Sequence, residues 1–111
     1  MRLIENLWKE RIAFMRDTML DLCEVDIMPK DRRYVVVVAR AIVADRLVKD
    51  GMKFCDIAEL LKKNHATIIY YVDLVKNITS IPGYKAEREL YRKFNKIVNE
   101  YDSGKNRQGK N

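Results

Sequence analysis

The stretch "RRYVVVVARAIVADRLVKDG", residues 32–51, decides the fold class. Four successive valines, starting at Val35, suggest a buried strand, because β-branched side chains pack well on a pleated surface. Length argues the other way. No turn signal falls between Asp31 and Gly51, and Val35, Val38, Ala39, Ile42, Val43 and Leu47 keep helical spacing. A long, largely buried helix over about residues 31–50 is expected. Asp31 is its candidate N-cap, and Gly51 stands where a left-handed C-terminal cap falls.

The flanking sequence also reads as helix. Ile4, Trp8, Ile12, Met15, Met19 and Leu22 recur at steps of four and three, an apolar stripe on a helix over about residues 3–23. "VDIMPKD" breaks it at Pro29. "MKFCDIAELLKKN" predicts a short helix over about 54–62, with Phe54, Ile57, Leu60 and Leu61 inward. "NHATIIYYVDLVKN" predicts another over about 65–77. "TSIPGY" is a loop, and "KAERELYRKFNKIVNEY" predicts a last amphipathic helix with Leu90, Phe94, Ile97, Val98 and Tyr101 on one face. No hairpin signal occurs, so the class is all-α with about five helices. One domain over 1–101 is expected, followed by a disordered basic tail, "DSGKNRQGKN", over 102–111.

Composition narrows the function classes. A 48% hydrophobic share excludes a disordered chain. No apolar run approaches the ~20 residues that span a bilayer, so no membrane role is expected. The N-terminal residues lack the apolar stretch of a secretory signal, and a cytoplasmic, nucleoid-associated protein is expected. Cys23 and Cys55 are isolated and carry no metal-ligand spacing, so neither zinc nor another cofactor is implied. No phosphate-loop motif is present, and no bound nucleotide is expected. The lone His65 has no cysteine or carboxylate at a triad spacing. Asp45 reads as an ion-pair partner for Arg40 or Arg46 rather than a general base, and no enzyme is expected. A net charge of +6 favours a polyanionic partner.

The charge gains meaning beside the two short helices. About three residues, Lys63 to His65, join them, and so short a connection forces a sharp angle. That is a helix-turn-helix arrangement over about 54–77, whose second helix enters a major groove. A helical wheel groups Ile68, Val72 and Val75, flanked by Ile69, toward the core. Ala66, Thr67, Tyr70, Asp73, Leu74 and Asn77 fall on the other face, and His65 lies toward the core edge. Small residues permit close approach, Thr67 offers a hydroxyl, and Asn64 can pair bidentately with adenine. Lys53, Lys62, Lys63 and Lys76 surround that face. The competing reading is a protein-interaction module in which helix 3–23, with Trp8, Met15 and Met19 and with Met28 nearby, forms a homodimer seam.

"FCDIAELLKKNHATIIYYVDLVKNI", residues 54–78, resembles the C-terminal duplex-DNA-binding domain of the bacterial chromosomal replication initiator, DnaA. That family's signature runs Asp-His-Thr-Thr and an aliphatic pair. Here it reads Asn64, His65, Ala66, Thr67, Ile68 and Ile69. "CEVDIMPKDRRYVVVVARAIVADRL", residues 23–47, is similar to the family's basic loop and the helix that follows, with Arg32, Arg33 and Arg40 at its arginine positions. The resemblance covers roughly residues 15–100 and implies a Trp-repressor-like helix-turn-helix core in a stand-alone domain. It also implies roles in binding double-stranded DNA. Arg33 or Arg32 would enter the minor groove, and Asn64, His65, Ala66 and Thr67 would meet major-groove bases and phosphates. Lys53, Phe54 and Cys55 would lie on the backbone. Two departures, Asn64 for Asp and Ala66 for Thr, imply a DNA site different from the initiator's.

Overall fold

The structure, a computed structural model, describes the backbone of residues 3–110 and the side chains of residues 8–104. The chain folds into α1 (Leu3–Cys23), α2 (Tyr34–Lys49), α3 (Phe54–Leu61), α4 (His65–Ser80) and α5 (Lys85–Lys110). No strand occurs among the described residues.

The four-valine run is helical because it opens a helix that is buried almost all round from Val36 to Leu47. Val36, Val38, Ala39, Ala41, Ile42, Val43, Ala44 and Leu47 are all in the core. Burial of that many apolar side chains outweighs the few tenths of a kcal/mol by which valine disfavours a helix. α2 is the central element and packs against all four other helices, most extensively against α4. α1 and α5 pair with each other, and Phe14 stacks on Tyr101 at 3.9 Å between ring centroids.

The two ends of α2 differ in their caps. At the C-terminus Gly51 has φ +102°. The Met52 N–H donates to the Leu47 carbonyl and the Gly51 N–H to the Val48 carbonyl, each at 3.0 Å, which is a Schellman closure. At the N-terminus Asp31 is not the cap residue. The helix starts three residues later than its sequence suggests, with Arg33 in the cap position. Asp31 acts one step earlier, accepting from the Arg33 backbone N–H at 3.0 Å and from its guanidinium.

The structure differs at Asp102, where a disordered tail was expected to begin. α5 continues to Lys110, and Asp102 is held inside the fold. Arg11 on α1 donates to both its carboxylate oxygens, at 2.6 and 3.1 Å, and Arg46 on α2 reaches it at 3.3 Å. Both arginines also bind Asp50, and Arg46 donates to Asn95 at 2.9 Å. These two cations and two anions tie three helices together. Asp102 and Asp50 push the Arg11 guanidinium well above its ordinary pKa. Asp45 is an ion-pair partner, but of Lys49 at 3.0 Å rather than of Arg40 or Arg46.

The apolar stripe of α1 serves the chain's own core. Ile12, Met15 and Met19 are buried, and Trp8 packs against them. Ile4, the first residue of that stripe, lies outside the described side chains. No helix of the described residues is long and apolar enough to cross a membrane.

Candidate nucleic-acid interface

α3 and α4 are joined by Lys62, Lys63 and Asn64, so the connection starts one residue earlier than the sequence suggests. Lys62 makes the turn possible. It adopts the left-handed conformation at φ 58°, ψ 45°. This conformation costs a non-glycine residue roughly 1–2 kcal/mol. Two backbone bonds offset it, from the Lys63 N–H to the Ala58 carbonyl at 2.9 Å and from the Lys62 N–H to the Glu59 carbonyl at 3.2 Å. Ile57, Ala58, Leu61 and Ile68 are buried beneath the turn and fix the approach of the two helices.

Asn64 then caps α4. Its Oδ1 accepts from the Thr67 backbone N–H at 2.8 Å and from the Thr67 hydroxyl at 2.9 Å. The carbonyl oxygen needed to pair bidentately with adenine is therefore engaged within the helix.

The inward face of α4 differs from the expected wheel. Ile68, Tyr71, Leu74, Val75 and Ile78 are buried, while Val72 is only half-buried. Leu74 faces the core rather than the outer face, and Ile69 is exposed rather than inward. The outward stripe is Ala66, Ile69, Tyr70, Asp73 and Asn77. His65 is exposed rather than at the core edge, with its ring edge-on to Phe54 at 5.6 Å.

The loop between α1 and α2 lies beside this turn and is pinned from below by Arg40. Only 2% of Arg40 is exposed. Its guanidinium donates to the carbonyls of Ile27 and Asp31, each at 2.7 Å, and to that of Pro29. Arg40, expected at a DNA contact, is thus placed by the structure beneath the loop, where its guanidinium positions the loop backbone. Asp26 holds the loop's other side, accepting from the Met28 N–H at 3.1 Å and from Arg16 at 2.6 Å.

This pinning presents Lys30 and Arg32 to solvent. Partial burial, and then the like charges of Arg40, Arg32 and Lys30, hold the Lys63 ammonium below its ordinary pKa. Cations from two segments distant in sequence thus share one field. Lys30 escaped the sequence reading, although its place between Pro29 and Asp31 in the loop was a signal for it. Arg33 is 69% exposed at its side chain, but Asp31 pairs with it at 2.8 Å. Arg32 carries no such pairing among the described residues and is the better-placed arginine of the two. Lys53 and Lys62 are exposed, as is Cys55, while Phe54 is half-buried under His65. No group of three metal-ligating side chains forms among the described residues. In comparisons with protein-family models, curated proteins and solved structures, the chain matches none.

Proposed function

We propose that this protein binds double-stranded DNA, with α3 and α4 acting as a helix-turn-helix and α4 entering the major groove. The loop between α1 and α2 lies on the adjacent minor groove and backbone through Arg32, with Lys30 beside it. The observation that supports this reading most is the convergence of Lys30, Arg32 and Lys63 near the first turn of α4, where partial burial and then the charges of Arg40, Arg32 and Lys30 lower the Lys63 pKa. A like-charge cluster of that kind is unfavourable in the free protein and is relieved by a polyanion. The resemblance to the replication initiator's duplex-binding domain points to replication or transcription control.

Duplex binding measured against salt tests the reading. Affinity is expected to fall steeply as salt rises, because each neutralised phosphate releases counterions. Arg32→Ala and Lys63→Ala should weaken binding to all duplexes and each lower the log–log slope by about 0.9. Binding that is insensitive to salt and to both substitutions would refute the proposal.

A second reading, a protein-interaction module, draws on a different surface. Leu20, Tyr34 and Val35 are exposed, and Tyr34 and Val35 border a cavity of about 380 Å³ lined also by Leu22, Val38 and Leu90. A complex of defined stoichiometry, lost in Val35→Asp and indifferent to duplex DNA, would favour it.

A further inference from the structure

The outward face of α4 is apolar over its first two turns. Ile69 is 46% exposed and Tyr70 54%, with Ala66 one turn before them. At helical spacing the three form one stripe. The polar groups at the helix start are turned to another task. Asn64 Oδ1 has two acceptor positions, and the Thr67 N–H and hydroxyl fill both. Asn64 retains only its Nδ2 hydrogens, and Thr67 has spent its hydroxyl proton. A base edge that needs a side-chain acceptor, such as adenine N6 or cytosine N4, finds the Asn64 oxygen already filled, and only the Thr67 hydroxyl oxygen and a ring nitrogen of His65 remain as acceptors in this first turn.

Charge complementarity indicates what covers the stripe. Lys62 and Lys63 stand at its N-terminal end and Lys76 beyond it, all positive and set for phosphates. Asp73 follows the stripe on the same face and repels phosphate, which confines the contact to the first two turns. The only apolar group a major groove offers is the 5-methyl of thymine.

We infer that Ile69 and Tyr70 determine specificity by packing on thymine 5-methyl groups, with Ala66 allowing close approach and Asn64 acting as a donor alone. This inference rests on the duplex-DNA reading. The test uses the full chain and a duplex selected from a random pool, remade with deoxyuridine in place of thymine. That exchange deletes the methyl and leaves every hydrogen-bonding group of the base. Affinity is expected to drop roughly three- to fivefold per contacted methyl, the worth of one buried methylene-sized group. Ile69→Ala and, independently, Tyr70→Ser should narrow the difference between the two duplexes while keeping the wild-type salt dependence. Both positions are exposed, so neither variant threatens the fold. Equal wild-type binding of the two duplexes, with salt dependence intact, overturns the methyl reading and leaves the duplex-DNA reading standing. No salt-dependent binding to any duplex overturns both.

Discussion

Two groups of charged side chains lie around α2, and they are resolved in opposite ways. Arg11 and Arg46 meet Asp50 and Asp102, so that each charge has partners of the other sign. Lys30, Arg32 and Lys63 converge with no anion opposing them among the described residues, since the nearby Asp31 is held by Arg33. The first group joins helices that are far apart in sequence. The second group disfavours the charged form of Lys63 in the free protein and, on the proposed duplex-DNA reading, is relieved by a polyanion. The same residue types therefore serve stability in one place and, in the proposed function, recognition in the other. Arg40 connects the two roles, because it is buried for stability and yet fixes the loop that carries Lys30 and Arg32.

Breaking that connection should have the largest effect. Arg40→Ala strands three carbonyls, that of Ile27 fully buried and those of Pro29 and Asp31 partly so, and is expected to cost about 3 kcal/mol, read from urea unfolding, with duplex binding lost even where the chain remains folded. Arg46→Ala should cost about 2 kcal/mol, less than a fully buried pair because the network is partly solvated. Its duplex affinity, measured below the unfolding transition, should stay at the wild-type value. A loss of affinity there would blur the division between the two groups.

Lys62→Gly should act in the opposite direction. Removing the left-handed strain is expected to stabilise the chain by about 0.5–1 kcal/mol while weakening duplex binding. The smallest effect concerns pH. The folded state holds Lys63 below its ordinary pKa, so its charged form is disfavoured there. Stability at this position should therefore rise as pH climbs through that depressed value toward the ordinary lysine pKa near ~10.4. Lys63→Gln should abolish this rise and add a few tenths of a kcal/mol at neutral pH, as a comparison of urea midpoints from pH 8 to 10.5 would show.

Much of the architecture was legible because it depends on local signals. Gly51 ended α2 as its position suggested, and the absence of any turn signal across the valine run outweighed its β propensity. The short spacing between α3 and α4 also stood out in the chain. What was not legible depends on long-range partners. Asp102 sits among glycines and polar residues that read as coil, yet its partners Arg11 and Arg46 lie 91 and 56 positions away. Arg40 reads as one more cation of a basic segment until the carbonyls of Ile27, Pro29 and Asp31 are found around it. The wheel of α4 went astray because Ile68, Val72 and Val75 define an apolar face nearly as well as the true one through Tyr71, Leu74 and Ile78. Which tyrosine of the pair is buried depends on α2, and position alone does not reveal it.

The cap at the start of α4 offers a way to watch the interface directly. The Thr67 amide is protected from exchange with solvent by a single side-chain oxygen, that of Asn64, and by the first-turn bond to the Asn64 carbonyl. Any partner that claims the Asn64 oxygen must release that amide, and any partner that leaves the cap intact must bury it further. Its exchange rate, followed as duplex is added, therefore reports at one atom whether recognition proceeds with α4 as it stands or requires its first turn to be rebuilt.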